Sequence, residues 1–240
     1  MNYYYITGTG KGIGRALALL LLENENNYVI GISRSNEIKH EHFEFIKLDL
    51  VDFHQTENFQ FINIKDADKI VLVNNAGVIG EIKHVGGLNN ASIYQTFMVN
   101  TISPAVLMNN FIKAYRNTPV EKVILNVSSG AGRHAIEAWS AYCASKAAVD
   151  MFSLVTHTEQ SLSKIKHPVK VFSIAPGVVD TQMQNQIRVA DKADFSAVDK
   201  FIDYKNNNEL ASPEKAAELI NKVLQNPEKF SEVVLDVREI

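Results

Sequence analysis

The chain has 240 residues, 46% of them hydrophobic, enough for one large core, and a formal net charge of −3. That balance gives no sign of a nucleic-acid or anionic-membrane partner, and the longest apolar run, Ala16 to Leu22, is far too short to cross a bilayer. One cysteine, Cys143, excludes an internal disulfide, and the opening residues lack the basic and apolar regions of a signal peptide, so a cytoplasmic location is expected.

Residues 3–7 read as a buried strand, and residues 12–23 as a helix. Strands follow at 28–33 and 44–48, then a helix over 52–62 and a strand over 69–74. A helix over 88–116 leads to a strand at 122–128, and a helix over 138–165 to a strand at 169–174. The polar segment 182–210 breaks the alternation, and a helix at 212–226 and a strand at 232–237 close it. Strands that are apolar almost throughout, alternating with helices, predict an α/β fold: one doubly wound, seven-stranded parallel sheet with helices on both faces. No repeat or linker divides the chain, so residues 1–240 are expected to form a single domain. The 182–210 segment follows the carboxyl end of a strand, where open sheets bind ligands, and is a candidate substrate lid.

Between the first strand and helix lies TGTGKGIG, residues 7–14. Glycines there let an anion approach the backbone amides at a helix N-terminus, a pyrophosphate among them. The spacing, Thr-Gly-x-x-x-Gly-x-Gly, departs from the G-x-G-x-x-G fingerprint, and Lys11 has no following Ser or Thr to make a Walker loop. After the strand over 69–74 comes Asn74-Asn75-Ala76-Gly77, polar residues suited to specific hydrogen bonds or to closing a turn.

The richest chemistry lies later. Ser129 ends a strand, and Tyr142 follows thirteen residues on, with Lys146 one helical turn further along the same face. A free tyrosine, with a pKa near 10, exchanges protons poorly at neutral pH. A fixed ammonium beside it favours the phenolate and is expected to lower that value. Trp139 lies one turn earlier, as a pocket wall or a core aromatic, and Cys143 reads as a packed small residue. The seven histidines show no ligand spacing, and no metal is expected.

The glycine turn, Asn74-Asn75-Ala76-Gly77, Asn100, Ser129, Tyr142-x-x-x-Lys146 and Pro176-Gly177, in that order and spacing, resemble the short-chain dehydrogenase/reductase family over nearly the whole chain. The stretches 142–152 and 175–184 are similar to those of sepiapterin reductases and bacterial benzil reductases. The resemblance implies a Rossmann domain in which Tyr142 exchanges the proton with the substrate oxygen. Lys146 would lower the tyrosine's pKa and hold the nicotinamide ribose, Ser129 would fix the carbonyl, and Asn100 would hold a water. Dinucleotide contacts would come from Gly8, Lys11, Gly12, Ile13 and Gly14 in the turn and from Ser33 and Arg34 after the second strand. Asp49 and Leu50 would meet the adenine, Asn75, Ala76 and Gly77 the adenosine side, and Pro176, Gly177, Val179 and Thr181 the carboxamide. Trp139, Met183 and Asp236 would join Ser129 and Tyr142 around the substrate, Asp236 either as a pterin anchor or as a plain surface aspartate. The chain lacks the C-terminal glycines of the family's tetramers, so the apolar helices are expected to pair in a homodimer.

The second strand ends Gly31-Ile32-Ser33-Arg34-Ser35, with no carboxylate before Glu37 to accept from an NAD ribose. Arg34 and Lys11 instead suit the 2′-phosphate of NADP(H). The leading expectation is an NADPH-dependent carbonyl reductase acting on a small ketone, a vicinal dicarbonyl of the benzil or pterin side-chain type. A catalytically silent dinucleotide sensor and an NAD-dependent alcohol dehydrogenase are the alternatives.

Overall fold

The computed structural model describes residues 1–64 and 66–240. Seven strands, β1 (Asn2–Thr7), β2 (Asn27–Ser33), β3 (Phe43–Lys47), β4 (Lys69–Asn74), β5 (Glu121–Val127), β6 (Val169–Ala175) and β7 (Val234–Asp236), form one sheet in the order 3-2-1-4-5-6-7. Every neighbouring pair is parallel. The expected doubly wound sheet is therefore the observed one. Its strand order reverses between β1 and β4, and that switch opens a crevice at the carboxyl edge.

Alternate strand residues feed two cores. Tyr4 and Ile6 pack with α1 (Gly12–Leu22) and α8 (Pro213–Gln225) on one face. Tyr5, Ile30 and Ile124 pack against Leu107 and Phe111 of α4 (Ser103–Tyr115) on the other. Period-two alternation in strands buried on both sides produces this split. The helix α8 is also set locally: Ser212 caps Lys215 N–H, Pro213 opens the first turn and Glu214 complements the dipole.

Three expectations change. The helix over 52–62 is only α2 (Phe53–Glu57), capped by Asp52. Beyond it Phe59 and Phe61 enter an aromatic cluster with Tyr5, Phe111 and Tyr115. The Ile62 backbone is pinned there, its N–H donating to Tyr5 Oη at 3.2 Å and its carbonyl accepting from Tyr115 Oη at 2.7 Å. Burying aromatic rings two residues apart requires extended chain, and this overrides the helical pattern. The helix over 88–116 is divided into α3 (Asn90–Phe97), a π turn (Met98–Ile102) and α4. The 182–210 segment is no irregular loop; it contains α6 (Gln182–Arg188) and α7 (Val198–Asn206), which bury Ile187, Phe195 and Val198 in a third cluster with Trp139 and Tyr142. The remaining long helix, α5, runs Ser140–Leu162, within the expected 138–165.

Phe111 is fully buried, with ring centroids 5.4 Å from Phe61 and 5.1 Å from Tyr115. Phe111→Ala is expected to lower unfolding stability by about 3–5 kcal/mol, read from the urea midpoint at unchanged slope. A loss below about 1 kcal/mol would mean the cluster does not hold α4 to the sheet.

Candidate active site

At the switch point β1 turns into α1 through the glycines, with Gly8 at φ +78° and Gly12 at φ +58°, a region L side chains rarely adopt. A Cβ on Gly14 would stand 2.3 Å from Asn75 Nδ2 and 2.5 Å from the Gly8 carbonyl oxygen, so only glycine fits. Thr7 joins this turn to the asparagine stretch. Its hydroxyl accepts from the N–H groups of Asn75 and Ala76, both at 3.0 Å, and its carbonyl accepts from Asn75 Nδ2 at 2.9 Å. Asn74 donates to Asn126 Oδ1 at 2.8 Å, and Asn126 donates to Ser153 Oγ at 2.8 Å. Both asparagines of the pair therefore make specific bonds.

Asn100 stands in the π turn, almost fully buried. Its Oδ1 accepts from Val78 N–H at 2.9 Å, and its Nδ2 donates to Val78 O at 2.8 Å and to Ser145 Oγ at 3.0 Å. Ser145 donates in turn to the Tyr142 carbonyl at 2.7 Å. The side-chain amide of Asn100 is thus committed to Val78 and Ser145. A Cβ on Gly77 would lie 3.4 Å from Asn100 Oδ1 and 3.5 Å from Lys146 Nζ, so the asparagine stretch and the catalytic helix converge on one point.

Tyr142 and Lys146 are both buried on α5, and the ammonium lies 5.8 Å from the tyrosine ring centroid while donating to Val127 O at 2.7 Å. Burial pushes the Tyr142 phenol up to about 12, against the downward pull of a hydrogen bond with Ser129. Burial likewise lowers Lys146 to about 8, while the charge of Asp150, one turn on, opposes the fall. Desolvation of the phenolate is the larger influence on Tyr142, whose ring centroid lies 5.8 Å from the Lys146 ammonium. Ser129 itself accepts from Ala131 N–H at 3.2 Å and faces Tyr142 from the end of β5.

The dinucleotide candidates divide. Thr181 lies over the turn, its Cγ2 placed 3.5 Å from a Cβ on Gly12, and Gly177 takes φ +75°. Val179 bridges to Ala211, and Pro176 leads into Gly177 at the end of β6. Arg34 and Asp49 line a cavity of about 390 Å³ together with Lys47, Leu48 and Gln55. Lys47 pairs in register with Ser33 across β2 and β3, and it was missed because an exposed lysine at a strand end carries no local signal. Lys11 is turned elsewhere, its ammonium bonded to Gln182 at the start of α6. The side chains of Leu50 and Ile13 pack into or against the cores, leaving only their backbones to meet a ligand.

On the substrate side Trp139 stands edge-on to Tyr142, with Phe195 and Phe201 of the lid against it and Met183 packed alongside. The 182–210 segment is fastened at two places. Asp180 pairs with Lys205 at 2.5 Å and Arg188 at 3.7 Å, and Glu137 accepts from Ser196 N–H at 3.0 Å and faces His84 at 3.0 Å. Beside this lies a cavity of about 460 Å³ between Gly80–Lys83 and Gln186–Asp194. Asp236 is not a surface residue: it is 2% exposed, and its carboxylate meets Arg238 at 2.6 and 2.8 Å and Arg133 at 3.5 Å. These arginines hold its acid strength above that of a free aspartate. Among the described residues no His, Cys, Asp and Glu cluster could hold a metal ion, and no helix is long and apolar enough to cross a membrane.

Tyr142, Lys146 and Ser129 thus lie together, with Lys146 against Gly77, and Asn75 of the same stretch ties on the glycine turn. The family profile for short chain dehydrogenases matches residues 2–192, and the chain belongs to the short-chain dehydrogenase/reductase family. It is 39% identical to the benzil reductase ((S)-benzoin forming) of Bacillus cereus, over 95% of this chain and 96% of that protein. Sepiapterin reductase of Xenopus tropicalis is 32% identical over 51% of this chain and 46% of its own length. Among solved structures, the KRED1-Pglu enzyme superposes with a TM-score of 0.76 at 26% identity, covering 93% of this chain and 94% of that one.

Proposed function

We propose that the chain is a cytoplasmic, NADPH-dependent carbonyl reductase of vicinal dicarbonyls, with Tyr142 as proton donor. The observation that carries this reading is the grouping of Tyr142, Lys146 and Ser129, with Lys146 Nζ against Gly77 of the stretch that Asn75 ties to the glycine turn. The likeness to the Bacillus cereus benzil reductase over nearly both full lengths supports the dicarbonyl. A silent sensor would have no use for a buried lysine beside a buried tyrosine.

The turn suits a nicotinamide dinucleotide: Gly8 and Gly12 take positive φ without side chains of their own, and Thr181 Cγ2 lies 3.5 Å from a Cβ placed on Gly12. When bound, the dinucleotide supplies the hydride. Ser129 and Tyr142 orient the substrate oxygen by hydrogen bonds, and Tyr142 Oη releases its proton to that oxygen as negative charge develops there. A phenol held at about 12 keeps its proton through neutral pH, which suits a donor. Lys146 sets its ammonium beside the ring and would hold the ribose of the bound dinucleotide. The Trp139 wall and the lid helices exclude water. Asp236, already engaged by Arg238, is better suited to shaping the pocket floor than to anchoring a pterin directly.

Tyr142→Phe is expected to keep dinucleotide binding while turnover of benzil falls by about 10²-fold or more. Near-wild-type turnover on every accepted substrate would overturn the mechanism.

For the dinucleotide, Arg34 and Lys47 border the adenine-side cavity, with Asp49 as the lone carboxylate among its lining residues. Two cations there favour a 2′-phosphate over a hydroxyl. Lys11 would have to leave Gln182 to join them. The unmutated chain is expected to prefer NADPH strongly. A Lys11→Ala, Arg34→Ala double variant should lose most of that preference while its NADH activity changes little. Equal catalytic efficiency with both dinucleotides before mutation would sink the assignment.

A homodimer is also proposed. Met151, Phe152 and Val155 on α5 and Tyr94 on α3 are exposed, and a second copy related by a two-fold axis would cover them. Sedimentation equilibrium should return twice the chain mass; a monomer at micromolar concentration would contradict it.

A further inference from the structure

Trp139 is 6% exposed, and its indole N–H has no hydrogen-bond partner. An unpartnered buried donor costs about 1–3 kcal/mol, so its presence calls for a reason. The aromatic wall does not supply one, because phenylalanine would pack between Tyr142 and the lid without that penalty. The indole stands one helical turn before Tyr142, with ring centroids 5.7 Å apart and planes at 89°. Phe195 and Phe201 cover it from the lid at 5.7 and 5.5 Å and offer the N–H no acceptor. The donor is therefore dry, unpaired and adjacent to the proton donor of the proposed reaction.

Resting on the carbonyl-reductase reading, we propose that the Trp139 N–H receives the second oxygen of a vicinal dicarbonyl while Ser129 and Tyr142 hold the first. The two oxygens of such a substrate sit on neighbouring carbons, so a donor beside Tyr142 meets the second when the first is in place. A ketone with one oxygen leaves the N–H as it is in the free protein and gains nothing. Sites with a buried donor discriminate strongly against analogues that cannot satisfy it. The same bond draws electron density from the dicarbonyl and eases hydride acceptance at the reacting carbon. Trp139 thereby becomes a specificity-determining residue, beyond its place in the wall.

The test compares benzil with deoxybenzoin, which has the same two rings and one carbonyl replaced by a methylene. In Trp139→Phe, the ratio of kcat/KM for benzil to that for deoxybenzoin should fall about tenfold. A general loss of packing would lower both together. Trp139 is the only tryptophan in the chain, so biosynthetic replacement by benzothienylalanine, with sulfur in place of the N–H, gives a second, nearly isosteric variant. It should reproduce the selective loss even if the phenylalanine variant folds poorly. An unchanged benzil-to-deoxybenzoin ratio in the folded variants overturns the role of Trp139 and leaves the carbonyl-reductase reading standing. Failure of the unmutated chain to reduce either compound with NADPH or NADH would overturn that reading, and this inference with it.

Discussion

The side-chain amide of Asn100 joins three separate parts of the site. It satisfies both the N–H and the carbonyl of Val78 and donates to Ser145, which itself bonds the Tyr142 carbonyl. A regular helix through residues 98–102 would carry this amide to a different height and angle; the π turn delivers it to the chain leaving β4. Such turns occur often where a helix must present one residue out of phase. With Val78 fixed, Gly77 lies against Lys146, and the glycine turn is tied on through Asn75 and Thr7. Helix α5, the switch point and the glycine turn are thus tied together through the chain segment that leaves β4.

Burial then sets the protonation states. Lys146 and Tyr142 are withdrawn from water, and desolvation moves each toward its neutral form. The charge of the nearby Asp150 opposes that shift for the lysine, and the Asp150 carboxylate itself accepts from Ser173 Oγ at 2.6 Å.

Most of the fold was legible because strands buried on both faces are apolar throughout, as in Ile70–Val73 and Val123–Leu125. The family motifs were legible because glycine, asparagine and the Tyr-x-x-x-Lys spacing are tied to backbone geometry. What escaped depends on contacts distant in sequence. The arrest of α2 follows from Phe59 and Phe61 meeting Phe111, some fifty residues away. The lid helices were hidden by a polar composition, since only Ile187, Phe195 and Val198 need face inward. The direction of Lys11 toward Gln182 and the place of Lys47 in the adenine-side cavity are properties of side-chain packing, which no local pattern encodes. The burial of Asp236 likewise comes from Arg133 and Arg238 folding over the chain end.

The lid's aromatic seal also has an optical side. With a single indole in the chain, all tryptophan emission arises from Trp139, held between the Tyr142 ring and Phe195 and Phe201 of the lid. Any opening of the segment around α7 would admit water to that indole and move its emission to longer wavelength. The chain's one indole therefore reports on the packing of the 182–210 segment, and any movement of that segment can be followed by stopped flow without attaching a label.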